Sequence, residues 1–410
     1  MSAADVENVQ FTQTTVGSVL EHVDALTTPP TLDIFDERVM SFLDVLSRQI
    51  SANREARKFT DLTALATWLR PSQLQLRTQR YPDDERIRRI GRGVVFHITP
   101  NNVPINFAFS AVTGLLAGNS NIVRLPTVSA PQVNILLNLF NEITQRPEFK
   151  VITSHLKFVN YDSSNDAITA KLSEICDARV IWGGDETIQA LKKFETKPRA
   201  TDIHFADRYS MLLIDASDYL QNKEDHPRIA RNFFNDSYLF DQLACTSPHL
   251  VVWLGSEADC DEASSMFWSN LGSVAGRLYL INEISVVDKL CNAMAIVADT
   301  DETSFDFYGD NTATIVRVKP AFVEGPQWRL NSGFFLETKI QTVESLRGIT
   351  DSSFQTLTCF GFSPDSLAKD LHSFGIEGVD RIAKLGSAHE FSFEWDGFDL
   401  IRSLSRVRSV

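Results

Sequence analysis

Positive charge is scarce in this chain. Its formal net charge is -14 over 410 residues. That balance argues against a nucleic-acid protein, which needs a basic face to neutralise phosphates. Long apolar runs are also missing. No stretch of eighteen uninterrupted apolar residues occurs, so no membrane-spanning helix is expected. Met1 to Asp24 mixes acids and polar residues among its apolar ones and has neither a basic n-region nor an apolar h-region, so no signal peptide is read there. Cysteine is sparse: Cys176, Cys245, Cys260, Cys291 and Cys359 lie far apart. No Cys-x-x-Cys or paired-histidine spacing is present, which argues against a zinc site, and no metal is expected. An odd, sparse set of this kind fits reduced thiols and a cytoplasmic location. There is no G-x-G-x-x-G, so a dinucleotide, if bound, is held by other means. Internal repeats and low-complexity linkers are absent too.

What is present is an alternation of strands and helices. Residues 1 to about 75 read as peripheral helices. Pro29-Pro30 breaks the first from a second, Leu32 to Ala56, whose apolar residues (Phe35, Val39, Phe42, Leu43, Leu46, Ile50) recur at helical spacing. A third, Thr60 to Trp68, stops before Pro71. Arg77, Arg80, Arg86, Arg88, Arg89 and Arg92 then cluster, with Asp83, Asp84 and Glu85 among them. The cluster reads either as a solvated, self-neutralised face or as a landing site for the phosphates of a nucleotide or coenzyme A. Gly93 to Ile98 is a buried-type strand. Thr99 to Pro104 is a tight loop, Ile105 to Ala117 a helix of small residues capped by Gly118-Asn119, and Asn121 to Leu125 the next strand. The pattern continues to a strand at Asp202 to Ala206, which implies a parallel, doubly wound sheet with ligands at the carboxyl ends of its strands. Gly183-Gly184, between a strand and a helix, is either a weak anion-binding signal or a tight turn.

A second α/β domain starts near Tyr209. Its centre is Phe240-Asp241-Gln242-Leu243-Ala244-Cys245-Thr246-Ser247-Pro248, a turn between a helix and the strand that ends at Gly255. A thiol in such a turn is reachable and held by backbone, as a nucleophile must be. The competing reading is a small buried thiol under a strand. The other four cysteines, Cys291 among them, fall in apolar patterns and read as packing. The expected division is residues 1–207 for the helices and a cofactor-binding domain, 208–385 for the thiol domain, and 386–410 for a tail that packs back on the first.

Two stretches resemble the aldehyde dehydrogenase superfamily: Thr99 to Pro104 with Gly118-Asn119 and Val123-Arg124, and Gln242 ahead of Cys245. The finer pattern is similar to the fatty acyl-CoA reductases of the bioluminescence (LuxC) type. It consists of His97-Ile98 with Asn102-Val103-Pro104, Leu115 to Asn119, Asp241-Gln242 with Cys245-x-Ser247-Pro248, and the closing Gly378 to Ile382 and Trp395-Asp396-Gly397. The fold this implies is aldehyde dehydrogenase-like: two doubly wound α/β domains with an N-terminal helical part.

The resemblance implies roles. Cys245 takes the acyl group as a thioester. Asn102 donates its amide to the oxyanion, with the Cys245 backbone N–H as second donor; read by itself, Asn102 is a turn residue between two prolines. Pro100, Arg124, Thr127, Gly183 and Gly184 fall at cofactor-binding positions. Arg124 stands where relatives have a ribose-contacting lysine, and Thr127 where NAD-preferring relatives often carry Glu. Arg with Thr accepts a 2′-phosphate, so NADPH is expected over NADH. The general-base Glu of hydrolytic relatives is replaced by His204, which acts as a base, orients the thioester, or is a satisfied strand-end residue. Without a carboxylate to activate water, the thioester survives to accept hydride. The expected reaction is NADPH-dependent reduction of an acyl-CoA, of fatty type, to the aldehyde. An acyl-protein synthetase or acyltransferase partner and a homo-oligomer are implied by the relatives. The alternatives are an acyl-phosphate reductase of the same fold and an inactive partner-binding scaffold.

Overall fold

The computed structural model describes residues 32–82, 86–128, 130–299, 303–323 and 329–409. The first expected helix, Pro29-Pro30 and the acids at 83–85 lie outside them. The chain forms two compact units. Among the described residues, one holds those up to Ala206 with Ser392–Glu394 and those from Phe398 onward, and the other holds those between Asp207 and Phe391 with Trp395–Gly397.

In the first unit the helix expected from Leu32 to Ala56 runs Glu37–Ala52. Asp36 sets its start by accepting the Arg38 N–H at 2.9 Å. Of the predicted apolar row, Val39, Phe42, Leu43, Leu46 and Ile50 are buried, while Phe35 precedes the helix at φ 53° and is only partly buried. Pro71 does not only stop the helix Thr60–Trp68; it also opens another, Pro71–Thr78. Proline suits a first turn because its missing N–H has no partner to lose there.

The arginine-rich stretch is partly a strand. β1 (Ile87–Gly91) pairs antiparallel with the last strand of the chain, Ser405–Ser409, setting Arg88 opposite Arg408 and Ile90 opposite Arg406. The sheet that follows is made of β2 (Val94–Ile98), β3 (Ser120–Arg124), β4 (Leu156–Val159), β5 (Ala178–Trp182) and β6 (Thr201–Phe205). Its spatial order is β4-β3-β2-β5-β6, all parallel. β3 and β4 extend to one side of β2, and β5 and β6 to the other. The order therefore reverses at β2/β5, the place where such sheets open a crevice at their carboxyl edge. The helix Asn106–Leu116 lies close because its residues are small: a Cβ on Gly114 would meet Asn121 Oδ1 at 1.9 Å.

The second unit carries β7 (Tyr209–Asp215), β8 (Pro248–Leu254), β9 (Ser304–Tyr308), β10 (Ala313–Arg317), β11 (Phe334–Ile340), β12 (Phe354–Phe360) and β13 (Arg381–Lys384). The order is β13-β12-β7-β8-β11-β10-β9, parallel except for β9 at the edge. One face packs under aromatics that include Phe233, Trp253, Phe267, Trp268 and Phe335, and the other under Leu250, Val252, Leu336 and Leu357. Alternation along the strands assigns these faces. Cys176, Cys260 and Cys359 are buried, as packing residues are. Cys291 is exposed. It sits among Val287, Leu290 and Met294 on the outward side of the helix Glu283–Asp299, so its apolar neighbours mark a surface stripe and not core.

Candidate active site

Within the first unit, the candidate cofactor residues gather at one edge of the sheet. Pro100, Asn101 and Asn102 follow β2, Arg124 ends β3 and Thr127 follows it, and Gly183-Gly184 follow β5. The loops after β2 and β3 are tied together: Asn101 Oδ1 accepts from the Thr127 N–H at 2.8 Å and from its hydroxyl at 3.2 Å. The Thr99 hydroxyl also donates to the Arg124 carbonyl at 2.7 Å. The Arg124 guanidinium lies 5.0 Å from the Tyr161 ring centroid, and its buried Nε has no hydrogen-bond partner among the described residues. A stacked guanidinium with an unused donor is prepared for an anion. Asn102 is exposed in its loop. Gly183 packs on Thr187, where a Cβ would come within 3.1 Å, and Gly184 caps the helix Asp185–Lys192. Asp185 and Glu186 fill the first turn of that helix and compete for the same N–H groups as a phosphate would.

His204 lies on β6, half-buried, with Nε2 3.6 Å from Asp202 Oδ2. Burial lowers its pKa, against the pull of Asp202, so the ring is neutral near pH 7. His97, on β2 ahead of the Asn102 loop, is structural. It is buried between Ser110 Oγ (2.7 Å) and Asn121 Oδ1 (2.9 Å), and burial pushes its pKa down to about 4.

The second unit holds Cys245. Its loop is bent by Asp241 and Gln242, both in the left-handed region at φ 51° and 54°. Gln242 holds that bend. Its Oε1 accepts from the N–H groups of Gly333 (2.7 Å) and Phe334 (3.0 Å), and its Nε2 donates to the carbonyls of Pro248 (3.2 Å) and Phe334 (3.0 Å). Gln242 is thus a clamp that fastens the thiol loop to the start of β11. The Ser210 hydroxyl donates to the Cys245 carbonyl at 2.6 Å, and Arg329 donates to the Leu243 carbonyl at 3.3 Å.

Burial raises the Cys245 pKa, and the Asp396 carboxylate adds to the rise; Gln355 and Arg329 work against it. The resting group is a thiol. Asp396 is nearly buried, and burial raises its pKa against the nearby charge of Arg208, whose Nε lies 3.3 Å away. Arg381 donates to the carbonyls of Ser387 and Glu390 at 2.9 Å each and lies 5.3 Å from the Trp395 ring centroid. The loop it holds presents His389, whose Nδ1 is 2.9 Å from the Thr246 hydroxyl. Burial pushes the His389 pKa down to about 4.

Cys245, Gln355, Asp396 and Arg329 all belong to the second unit. Asn102, His204, Arg124 and Thr127 belong to the first unit. Gln355 and His389 carried no sequence signal. Asp396 and Arg381 stood only inside the closing motifs, and an acid between Trp395 and Gly397 was the available hint.

A family model described as acyl-CoA reductase (LuxC) matches residues 41–281. The chain belongs to the LuxC family. A long-chain acyl-protein thioester reductase of Aliivibrio fischeri is 22% identical over 314 residues, covering 73% of this chain and 61% of that one. One from Vibrio harveyi is 24% identical over 172 residues, or 42% of this chain and 34% of that one. This LuxC-family chain thus spans less than two thirds of the length of the curated relatives it matches. Among solved structures, an indole-3-acetaldehyde dehydrogenase in complex with NAD+ aligns at TM-score 0.69 and 13% identity, covering 97% of this chain and 89% of that one. A glyceraldehyde-3-phosphate dehydrogenase of Methanocaldococcus jannaschii, complexed with NADP, aligns at TM-score 0.63 and 12% identity, covering 97% and 94%. The fold is that of the aldehyde dehydrogenases, and the bioluminescence-type resemblance read from the motifs holds. Among the described residues, no helix is long and apolar enough to cross a membrane.

Proposed function

We propose that this protein reduces a fatty acyl thioester to the aldehyde through an acyl-enzyme on Cys245. The observation that carries the reading is the Cys245 loop: a thiol at the amino end of a central strand, held by four hydrogen bonds to Gln242, in a LuxC-family chain. The Cys245 sulfur attacks the acyl carbonyl, a new C–S bond forms, and the donor's thiol leaves. Asn102 and the Cys245 backbone N–H would donate to the oxyanion that forms on attack, before the thiol leaves, and to the alkoxide that forms when hydride adds. NADPH, when bound, supplies the hydride. Arg124, backed by Tyr161, and Thr127 would hold its 2′-phosphate, and Pro100, Gly183 and Gly184 would line the rest of its site. With His204 where hydrolytic relatives carry a Glu, no carboxylate is there to activate water, so the thioester survives to accept hydride; the neutral imidazole would accept a proton or orient the thioester. The acyl donor is acyl-CoA or, as the relatives' names state for those proteins, an acyl protein; the second would require an acyl-protein synthetase or transferase as partner.

The test is intact mass after mixing with a long-chain acyl-CoA, with and without NADPH, beside Cys245→Ala. The expected result is an adduct on the parent alone that disappears with NADPH and persists longer with NADH. An adduct retained by Cys245→Ala overturns the reading, and equal clearance by NADH overturns the cofactor preference.

A further inference from the structure

Both neighbours of β7 break register at the same residue. On the β8 side Ser210 stands opposite Pro248 and Met211 opposite Leu250, so His249 is an extra residue, and its ring stacks on Tyr209 at 5.6 Å between centroids. On the β12 side Tyr209 stands opposite Phe354 and Met211 opposite Leu357, so Gln355 and Thr356 share the place of Ser210 alone. Extra residues of this kind interrupt the ladder and re-aim side chains. Here they leave a role for the side chain of Ser210, which is fully buried. Its hydroxyl accepts the Thr356 N–H at 3.2 Å and donates to the Cys245 carbonyl at 2.6 Å. The direction is not free: an N–H can only donate, so the one hydroxyl proton goes to the carbonyl.

That carbonyl is the part of the thiol loop that needs holding. The Ser247 N–H donates to the Ala244 carbonyl at 3.0 Å, closing a four-residue turn in which Cys245 is second. This bond fixes the peptide unit before Cys245, whose N–H points opposite to the Ala244 carbonyl. The middle unit carries the Cys245 carbonyl. Its orientation is what distinguishes turn types, and the turn bond does not set it. With Ser210 holding it, both units around Cys245 are fixed, and the Cα–Cβ bond and the N–H keep one relative direction.

We propose that Ser210 is a positioning residue for the acyl chemistry: its hydroxyl locks the middle peptide of the 244–247 turn, so that the Cys245 sulfur and the Cys245 N–H act on one carbonyl group. The proposal rests on the reading of Cys245 as the acyl-carrying nucleophile. In acylation the thiol gives its proton to solvent, the sulfur attacks, and the carbonyl π pair moves to oxygen. The oxyanion then re-forms C=O and expels the donor's thiolate. In reduction hydride from NADPH adds to the thioester carbon. The alkoxide re-forms C=O, the C–S bond breaks, and the pair returns to Cys245, which regains a proton from solvent. Each half raises a negative oxygen that must meet the N–H while sulfur is bonded to the same carbon. A middle peptide that turns over leaves the thiol present but misaimed.

The experiment compares two reactions of one sulfur, each read at Cys245 by peptide mass in the full chain. Acylation by decanoyl-CoA forms an oxyanion; alkylation by iodoacetamide is a displacement at carbon and forms none. In Ser210→Ala, acylation slows about ten- to hundredfold while alkylation stays within about threefold of the parent. Ser210→Thr keeps the hydroxyl and restores acylation. Ser210→Cys keeps the volume with a weaker donor and falls between Ala and parent. A general disturbance of the loop would change both reactions by one factor, so equal factors in Ser210→Ala overturn the proposal, as does acylation at the parent's rate. If Ser210→Ala does not fold, Ser210→Cys decides by the same ratio, and a ratio equal to the parent's overturns it. Failure of the thioester reading shows separately, as acylation surviving in Cys245→Ala.

Discussion

At the scale of single residues, the thiol loop depends on groups that never touch an acyl chain. Gln242 spends both ends of its amide on backbone, and Asp241 and Gln242 occupy a left-handed conformation that few side chains adopt without support. Gln242→Ala removes the support and leaves the Gly333 and Phe334 N–H groups buried and unpaired. The expected loss is about 2–4 kcal/mol, mostly the desolvation of those orphaned groups. Urea unfolding checks it, and a midpoint equal to the parent's would show that the loop holds its bend without the clamp. Glu337 repeats the logic away from the site. Its buried Oε1 accepts from Trp253 Nε1 (2.6 Å), Trp268 Nε1 (2.7 Å) and the Ser264 hydroxyl (2.7 Å), and its Oε2 faces Arg317 Nε at 3.0 Å. A carboxylate here organises an aromatic core instead of doing chemistry.

At the scale of elements, the Gly118-Asn119 pair that looks like a family signature works as a joint. Gly118 ends the helix Asn106–Leu116 at φ 82°, and Asn119 bonds the Gly93 N–H at 3.2 Å, the Gly114 carbonyl at 3.3 Å and the Leu404 carbonyl at 2.9 Å. A Cβ at 118 would stand 2.7 Å from the Leu32 carbonyl oxygen. Gly118→Ala therefore costs about 2 kcal/mol or more, the left-handed penalty plus a contact with backbone that cannot move aside. Gly348 is the control: a Cβ there meets nothing within 4 Å, so Gly348→Ala is neutral or stabilises by about 0.5 kcal/mol. Thermal midpoints of the two variants against the parent decide it, and equal shifts would remove the joint from the account. This also explains what was legible. Strands such as Pro248–Leu254 announce themselves because a buried parallel strand reads as an apolar run, here unbroken from Leu250 to Leu254. β1 hid inside an arginine cluster because a two-stranded ribbon needs only one covered face, and Ile90 alone on it is buried. Cys245 and the Asn102 loop were readable as local patterns. The clamp that Gln242 makes was not, because its partners Gly333 and Phe334 lie 91 and 92 positions later in the chain.

At the scale of the whole molecule, burial of neutral histidines fixes how stability responds to acid. Burial lowers the pKa of His97 and His389 to about 4 and of His249 to about 3. A lowered histidine pKa means the unfolded chain binds the proton first. The stability it contributes is complete above the unfolded value of about 6.5 and is lost as pH falls toward 4. Asp236 acts in the opposite sense. Its carboxylate accepts from the Gly386 and Ala388 N–H groups at 2.6 and 2.9 Å, but burial still raises its pKa to about 7. Its folded form therefore takes up a proton before the unfolded chain does, and stability from it rises as pH falls from 7 toward 4. Between pH 7 and pH 5 the three histidines together cost about 5–6 kcal/mol and Asp236 returns about 2, a net loss of about 3 kcal/mol. The thermal midpoint is expected to be several degrees lower at pH 5 than at pH 7. His97→Gln keeps a polar side chain between Ser110 and Asn121 but cannot protonate, so it gives a shallower decline than the parent over the same range. Asp236→Asn removes an opposing group and steepens the decline. A midpoint that is level or higher at pH 5, measured calorimetrically at constant ionic strength, would mean that these histidines reach solvent and carry their charge inside the fold.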